Sequence, residues 1–561
     1  MERLFQTHYV RKQSCLDGMW DFQPVEGMEL PEKYLDEIAV PSCWEMKIDY
    51  CRYRGLAVYR KKMYIKEKGN VQLLFKGVSH SGTVFWDGRE AGFHYNAYTP
   101  FKILIPDAEA GEHTLEVLVD NRFTEESRLH IPNDYYTYGG VTRSVFLEQL
   151  PDCFIDNVHW KADKQGDRWM AEITVYLNNI SDKTVEAEVG IDCAGKEACL
   201  QAELPPGQIT EVKYFTEYEQ VAEWSCETPV LYLLKTELAV AGEIIDDLID
   251  RVGFRTVAAE NGRISLNGKP VFLKGVNRHE DHGVCGCAIP VSLMDTDIKL
   301  MRDMGINAVR TSHYPNDELF LDLCDENGFL VWEESHDRGG DTERITHPLF
   351  IEQSMNVMQE MLNYHWNHPS IIIWGCLNEA ASDTEAGAEV YKKHLDYLKS
   401  DDTRLNTFAS NKCRMDLCLG MESVCSFNMY PYWYCDISVS EYMQEIRERL
   451  EQTHNEKKPV IVSEYGGGGI YNFHDVMRVK WSEEFQADLL ERVTGELLEQ
   501  KNLAGIFIWQ YCDVRVSQEG ERNWPMTRPL SRNNKGLVDE YRRPKQAYYA
   551  VRKLFCNGKG V

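Results

Sequence analysis

The chain has 561 residues, of which 43% are hydrophobic and 11% aromatic, and this size and composition predict about three or four domains with ample hydrophobic cores. Its formal net charge of -28 argues against nucleic acid and anionic membranes as partners, and it means that an anionic substrate would need local cations to hold it. No apolar run approaches the length of a membrane span, so we expect no membrane partner.

The cysteines and the N-terminal residues bear on location and cofactors. The 17 cysteines are scattered without a regular framework, and the C-x-C pair of Cys285 and Cys287 has no second ligand pair at zinc spacing. Residues 1–8 contain no apolar segment of the kind found in signal peptides. We therefore predict reduced thiols, a cytoplasmic location and no metal site.

Residues 1–150 are predicted to form an all-β domain. Short β-rich runs stand between turn dipeptides, which is typical of a sandwich. Three tryptophans are interpreted as core aromatics: Trp20, Trp44 and Trp86. The polar and aromatic stretch at residues 133–140 has no periodicity. It is either a plain hairpin connection or a loop that reaches into a neighbouring site.

Residues 151–256 are predicted to form a second β-domain. Residues 172–176 alternate between polar and apolar side chains, and a turn signal follows at residues 205–207. A segment of about a hundred residues of this kind fits an immunoglobulin-like sandwich. We find no candidate chemistry in it and interpret it as a spacer.

From residue 257 onward, apolar periodicity indicates strands alternating with helices. Ser292 is predicted to begin the first helix with Asp295 as a capping-box partner, and Gly328 is predicted to end the second helix. The predicted strands are residues 271–276, 308–311, 330–332, 371–374, 460–462 and 506–509. Such alternation over about 300 residues predicts a parallel α/β barrel at residues 257–561.

Polar residues follow the predicted strands, at the end of a barrel that carries the chemistry. The clusters are residues 277–281, 312–313, 333–334, 378–379, 428–430, 464–465 and 509–510. Among them, Glu379 and Glu464 follow separate strands, and two converging carboxylates are what glycoside hydrolysis needs. Asn378 could hold the sugar 2-hydroxyl, and Tyr465 and Arg310 could keep Glu464 ionised. The alternative is two glutamates in surface loops.

The chain resembles glycoside hydrolase family 2, and within it the β-glucuronidase group, over essentially its whole length. The resemblance rests on residues 310–315 (Arg-Thr-Ser-His-Tyr-Pro), residues 367–370 (Asn-His-Pro-Ser) followed by Asn378 and Glu379, and residues 463–466 (Ser-Glu-Tyr-Gly). It implies a jelly-roll-like sandwich, an immunoglobulin-like sandwich and a catalytic (β/α)8 TIM barrel. It also implies a cofactor-independent enzyme that forms a homo-oligomer.

The resemblance further implies roles for particular residues. Glu379 would be the acid/base and Glu464 the nucleophile of a retaining mechanism. Asp134 would reach the pocket from the first domain, which would explain the aperiodic loop. The positions that would line the sugar pocket are His313, Asn378, Tyr430, Tyr434 and Trp509.

Asn533 and Lys535 stand two residues apart in a polar turn near the C-terminus. An amide donor and an ammonium at this spacing can bind the two oxygens of a carboxylate, although a solvated basic turn is the alternative. The pair resembles the Asn-x-Lys motif of family members specific for uronides. It favours a hexuronide over a neutral galactoside as the small-molecule substrate.

Residues 335–338 (Ser-His-Asp-Arg) depart from the glucuronidase pattern, which has small apolar residues here. Arg338 would add a cation at the pocket rim that could meet an axial C4 oxygen, or it could instead pair with a nearby acidic residue such as Asp337, Asp341 or Glu343. We predict a retaining exo-β-D-hexuronidase that favours β-D-galacturonides. The alternatives are a β-glucuronidase, a β-galactosidase and a non-catalytic carbohydrate-binding protein.

Overall fold

The computed structural model describes residues 7–519 and 527–557, and these fold into two β-sandwiches followed by a barrel. The first sandwich pairs a four-stranded with a six-stranded antiparallel sheet. Its strands are β1 (Lys12–Cys15), β2 (Gly18–Val25), β3 (Asp36–Val40), β4 (Leu56–Ile65), β5 (Gly69–Phe75), β6 (Val78–Ser79), β7 (Ser81–Trp86), β8 (Arg89–Tyr95), β9 (Phe101–Ala108), β10 (Gly111–Asp120), β11 (Gly140–Val141) and β12 (Val145–Leu150). Trp20, Trp44 and Trp86 are buried in its core, as predicted.

The second sandwich has one three-stranded and one four-stranded antiparallel sheet, in the order β13-β14-β17 and β16-β15-β18-β19. The strands are β13 (Cys153–Gln165), β14 (Arg168–Asn179), β15 (Val185–Cys193), β16 (Lys196–Leu204), β17 (Gln208–Tyr218), β18 (Tyr232–Val240) and β19 (Glu243–Val252). Alternating residues of each strand point into one core, which is why the sequence alternates here.

A short antiparallel sheet leads into the barrel, formed by β20 (Val257–Glu260), β21 (Arg263–Leu266) and β22 (Lys269–Val271). The barrel strands are β23 (Leu273–Asn277), β24 (Ala308–Thr311), β25 (Leu330–Glu334), β26 (Ile371–Gly375), β27 (Leu405–Thr407), β28 (Ala409–Ser410), β29 (Cys425–Asn428), β30 (Val460–Tyr465) and β31 (Gly505–Ile508). The helices around them are α1 (Val291–Asp303), α2 (Glu318–Asn327), α3 (Thr342–Ile345), α4 (Pro348–His365), α5 (Glu385–Leu398), α6 (Val439–Gln452), α7 (Glu483–Leu498) and α8 (Gln546–Asn557). A last hairpin, β32 (Val514–Arg515) with β33 (Arg532–Asn533), lies beyond the eighth barrel strand.

The barrel strands are parallel and buried, so their sequences are nearly continuous apolar runs. Segments β27 and β28 are separated only by Phe408 and together form the fifth strand of the (β/α)8 barrel. The predicted fold class is therefore confirmed. Within the described ranges, no helix combines the length and apolarity that crossing a membrane requires.

Two local predictions were wrong. Helix α1 begins at Val291 after Pro290, so Ser292 lies inside the helix, and Asp295 binds Lys299 instead of capping. The apolar run at residues 271–276 is divided between β22 and β23, because the chain turns from the short hairpin into the barrel at this point. By contrast, Gly328 ends α2 with φ 67°, a conformation that favours glycine.

Candidate active site

The predicted catalytic carboxylates meet at the C-terminal end of the barrel. Glu464 is the penultimate residue of β30, and Glu379 lies in the short loop that follows β26. Both Leu377 and Glu379 have φ 51°, a left-handed backbone conformation that residues other than glycine rarely adopt. Because strain of this kind persists only where the surroundings enforce it, the loop places Glu379 in a defined position.

Glu464 is held by two donors. Its Oε1 accepts a hydrogen bond of 2.9 Å from Arg310 Nη1, and its Oε2 accepts one of 2.7 Å from the Tyr430 hydroxyl. Burial raises the pKa of Glu464 to about 7, although Arg310 and the Tyr430 hydroxyl oppose this shift. We expected Arg310 to keep Glu464 ionised; the contact is present, but desolvation outweighs it.

The side-chain amide of Asn428 contacts both Glu379 and the preceding residue, Asn378. Asn428 Nδ2 donates to Glu379 Oε1 at 2.8 Å and also lies 3.2 Å from Asn378 Oδ1. Asn378 Oδ1 accepts a second bond of 2.8 Å from Arg310 Nη2. Since an amide oxygen occupied in this way leaves the Asn378 amide nitrogen as the free donor, that NH2 group is available to a sugar hydroxyl.

Arg310 is fully buried in β24 and contacts both Glu464 and Asn378, the residue before Glu379. It also forms a bidentate pair with Glu334, in which Nε lies 2.7 Å from Oε2 and Nη2 lies 3.0 Å from Oε1. A planar guanidinium can serve several acceptors at once, which a lysine could not do. Arg310 therefore sets the relative orientation of Glu464 and Asn378.

His313 and Trp509 form one wall of this region. Their rings stack with centroids 5.2 Å apart, and His313 Nδ1 lies 2.8 Å from Glu334 Oε1. Burial and the nearby Arg310 charge hold the pKa of His313 well below its usual value, so the imidazole is neutral. The wall presents an apolar indole face beside a neutral hydrogen-bonding ring.

A second part of the site is built around Asp134, which enters from the first sandwich and is 4% exposed. Arg338 Nη2 lies 3.2 Å from its Oδ1, Arg528 Nη2 lies 3.1 Å from its Oδ2, and Asn533 Nδ2 donates to the same Oδ2 at 3.2 Å. Burial raises the pKa of Asp134, but Arg338, Arg528 and Lys535 outweigh it and hold the pKa below its usual range. Three cations thus lie close enough to Asp134 to lower its pKa.

Lys535 acts on Asp134 electrostatically and also lies beside a group of aromatic rings. Its ammonium lies 5.4 Å from the centre of the Tyr434 ring and 5.9 Å from those of Tyr430 and Trp433. Lys535 is buried, and burial lowers its pKa. Tyr430 also donates to Glu464, so Lys535 and Glu464 are both neighbours of the same tyrosine.

The structure places Arg338 beside Asp134. It pairs with Asp134 across the domain boundary, while the Asp341 side chain caps α3 and Asp337 lies 3.8 Å from Arg344. The backbone of Arg338 bridges to Asn378, so its side chain starts beside the catalytic loop. Burial lowers the pKa of Arg338, but Asp134, Glu379 and Glu464 outweigh this effect and raise it.

The residues predicted to be catalytic or to bind the sugar therefore belong to one connected set of contacts. Tyr465 was expected to help keep Glu464 ionised, but its hydroxyl lies 3.0 Å from Thr494 Oγ1 instead. Further members of this set received no individual role from the sequence, among them Glu334, Asn428 and Arg528. The first two stand at strand ends, which is a usable signal for any barrel of this kind. Arg528 stands in an irregular segment after residue 526, where no pattern distinguishes it from a surface arginine.

In the described ranges, one group of three side chains has the ligand spacing of a metal site: Asp322, Asp325 and His368. His368 Nδ1 lies 2.5 Å from Asp325 Oδ2, and Asp325 Oδ1 accepts the Ser370 backbone N–H at 3.0 Å. Ser370 directly precedes β26, so this group lies at the N-terminal end of the barrel, away from Glu379.

Comparisons with known proteins agree along the whole chain. Residues 257–558 match the family model described as glycosyl hydrolases family 2, TIM barrel domain. Residues 153–255 match the model described as glycosyl hydrolases family 2, and residues 13–151 match that of the family 2 sugar binding domain.

Several relatives are uronidases. A crystal structure of a β-galacturonidase from Eisenbergiella tayi bound to galacturonate is 42% identical, covers 100% of both chains and superposes with a TM-score of 0.95. Human β-glucuronidase is 27% identical over 96% of this chain and 86% of its own length. The β-glucuronidase of Sus scrofa is 30% identical over 75% of this chain. This chain spans 64% of the pig enzyme and 63% of a relative from Formosa agariphila, a little under two thirds of their length.

Proposed function

Because this chain belongs to glycoside hydrolase family 2, we propose that it is a retaining exo-β-D-hexuronidase that favours β-D-galacturonides. The observation that carries this proposal is the buried group of Arg338, Arg528 and Lys535 around Asp134, next to a pair of glutamates. The three cations are concentrated around one carboxylate at this end of the site. A sugar that carries its own carboxylate would be complementary to them.

The proposed reaction proceeds by two displacements at the anomeric carbon. The Glu464 carboxylate attacks C1 while the Glu379 carboxyl gives its proton to the leaving glycosidic oxygen, so a glycosyl ester forms and the aglycone leaves as an alcohol. Glu379, now a carboxylate, then takes a proton from water, which attacks C1 and releases Glu464. The sugar leaves with its original β configuration.

The surroundings of each carboxylate suit these roles. Arg310 and Tyr430 donate to Glu464 and stabilise its ionised form and its ester oxygen. Burial and the Glu464 charge raise the pKa of Tyr430, so its hydroxyl keeps the proton that it donates. The amide of Asn378 is directed by Arg310 and Asn428 and can bind the 2-hydroxyl, a contact that strengthens in the transition state.

The preference for galacturonide rests on Arg338. Galacturonate and glucuronate differ only in the C4 hydroxyl, which is axial in galacturonate and equatorial in glucuronate. The Arg338 guanidinium is held by Asp134 and by the Asn133 side chain, and it lies within electrostatic reach of Glu379 and Glu464. Its fixed fork of donors can bind an axial oxygen and the adjoining carboxylate together. The structural relative bound to galacturonate supports the same choice.

The test is a panel of nitrophenyl glycosides: β-galacturonide, β-glucuronide, β-galactoside and β-glucoside. We expect hydrolysis of both uronides, the galacturonide faster, and little turnover of the neutral sugars. Proton NMR should show the β anomer as the first product, and an α anomer would exclude Glu464 as a nucleophile. No turnover of any uronide would favour a carbohydrate-binding protein. A dominant β-galactosidase activity would reject the uronide proposal.

We further propose that the enzyme acts as a homo-oligomer in the cytoplasm. The family resemblance supports the first statement. All 17 cysteines are free thiols in the structure, which is the usual state in a reducing compartment. Size-exclusion chromatography with light scattering would test the oligomer, and cell fractionation would test the location.

A further inference from the structure

The turn that carries Asn533 and Lys535 rests on a buried ion pair that takes no part in the chemistry described above. Lys545 stands just before α8 and Asp513 just before β32, and the two side chains are 0% and 2% exposed. Lys545 Nζ lies 2.7 Å from Asp513 Oδ1. A buried ammonium is tolerated only when it is paired and its N–H groups are satisfied.

The ammonium of Lys545 connects three separate segments. Besides Asp513, it donates to the Gly469 carbonyl at 2.6 Å and to the Asn534 carbonyl at 3.3 Å. An ammonium has three N–H donors, so all of them are used. Gly469 lies in the loop after the Glu464 strand, and Asn534 lies between the two residues proposed to bind the uronate.

The Asp513 carboxylate completes the support from the other side. Its Oδ1 also accepts the backbone N–H of Gly536 at 2.8 Å, directly after Lys535. Gly536 packs so closely that an added Cβ would stand 2.3 Å from Asp513 N, so the turn is pressed against this segment. Gln486 Nε2 ties the Gly467 and Gly536 carbonyls together at 3.0 Å each.

We propose that Lys545 and Asp513 are positioning residues for uronate recognition, which hold the Asn533–Gly536 turn so that Asn533 and Lys535 face the substrate carboxylate. This inference rests on the proposed function, because it assumes that these two side chains bind a uronate. The physical reason is that a lysine side chain is flexible and binds as a point charge. The position of the Lys535 ammonium must then be fixed by a rigid backbone. A displacement of about 1 Å of a binding group can cost on the order of 100-fold in rate.

The competing view is that the pair only stabilises the fold, as other buried ion pairs do. Arg404 and Asp401 provide a matched control, since they form a buried pair of 2.8 Å at the opposite end of the barrel. Arg404 also donates to the Ile371 carbonyl at the start of β26, far from the C-terminal strand ends. An Arg404→Met variant should therefore lose stability without changing substrate recognition.

The experiment compares Lys545→Met, Lys545→Arg, Asp513→Asn and Arg404→Met in the full chain, with thermal unfolding measured for each. Kinetics use methylumbelliferyl β-galacturonide and β-galactoside, or the β-glucuronide if wild type prefers it. For Lys545→Met we expect KM for the uronide to rise about tenfold or more, with a smaller change in kcat and in galactoside hydrolysis. Lys545→Arg, which keeps the charge and the donors, should recover part of the loss. Arg404→Met should leave both KM values unchanged.

If Lys545→Met does not fold, Asp513→Asn decides the question, because it keeps the size of the side chain and an acceptor for the Gly536 N–H. An unchanged KM in whichever of these variants folds, or the same rise in Arg404→Met, would overturn the inference. Lys535→Ala separates this failure from that of the proposed function. Equal losses on both substrates in Lys535→Ala would reject the carboxylate site itself, whereas a loss specific to the uronide would leave that site intact.

Discussion

Replacing Arg338 by alanine tests how the pocket distinguishes two epimeric uronides. The side chain is 13% exposed and lies 3.2 Å from Asp134, so its charge acts in a largely desolvated place. Asp134 keeps Arg528 and Asn533 as partners after the substitution, so the variant should fold. A hydrogen bond to a charged group contributes about 1.5–3 kcal/mol, which corresponds to about 10- to 100-fold in kcat/KM for the galacturonide.

The assay measures kcat/KM for nitrophenyl β-galacturonide and β-glucuronide in parallel. In Arg338→Ala, kcat/KM for the glucuronide should fall less than for the galacturonide, because the equatorial C4 oxygen accepts fewer hydrogen bonds from the Arg338 guanidinium. The ratio of the two kcat/KM values should therefore approach one. Arg338→Lys should restore general uronide activity but not the ratio, since an ammonium keeps the charge and lacks the fork. Arg122→Ala is the control, because Arg122 is an exposed arginine paired with Asp120 on the first sandwich. A wild-type preference for glucuronide, or a ratio that Arg338→Ala leaves unmoved, would refute the reasoning.

Four further outcomes follow from the same geometry. Glu464→Gln should lower kcat by at least about 10³-fold, because no glycosyl ester can form, and residual burst kinetics with a nitrophenyl uronide would contradict this. Glu379→Gln should impair poor leaving groups far more than nitrophenol, measured as a steeper dependence of kcat/KM on leaving-group pKa. Lys535→Ala should cut kcat/KM for uronides by about 100-fold or more and spare galactosides, as a competition assay would reveal. Since burial raises the pKa of Glu464 to about 7 and attack needs its ionised form, kcat/KM should decline below about pH 7. A pH profile that stays flat down to pH 5 would contradict that assignment.

The same pKa has a consequence for folding stability. A carboxyl group with a raised pKa binds its proton more tightly in the folded than in the unfolded chain, so its contribution to stability is present at low pH and is lost as pH rises from about 4.5 to about 7. Glu464→Gln should therefore unfold at a higher temperature than wild type above pH 7, and the difference should shrink toward pH 4.5. Thermal scans at both pH values check this sign.

The barrel was predictable because its strands are buried on both faces. The runs at Ala308–Thr311 and Ile371–Gly375 have no polar alternation, and the polar residues after each strand mark the catalytic end. Local capping was less predictable. Ser292 and Asp295 have the spacing of a capping box, yet Pro290 sets an extended backbone just before α1 and the helix begins one residue early.

The site was predictable as a set of residues but not as a set of contacts. Asp134 could be assigned to the pocket by resemblance. Its three cationic neighbours come from distant parts of the chain, and periodic sequence patterns do not predict contacts between such distant residues. Arg528 shows this most clearly, since it stands 394 positions from Asp134 in the sequence. The raised pKa of Glu464 could likewise not be predicted from the sequence, because the desolvation of this carboxyl group depends on how completely the fold buries it.

The negative net charge of the chain explains why cations are concentrated around Asp134. A protein with a net charge of -28 repels an anionic sugar at long range, so binding needs cations concentrated where the sugar carboxylate arrives. Three buried cations without a partner would cost several kcal/mol each in the empty enzyme. Asp134 offsets part of that cost from another domain, and the carboxylate of an anionic ligand would give these cations a further partner. A variant such as Asp134→Asn should thus lose stability as well as activity, whereas removing one of the cations should affect activity more than stability.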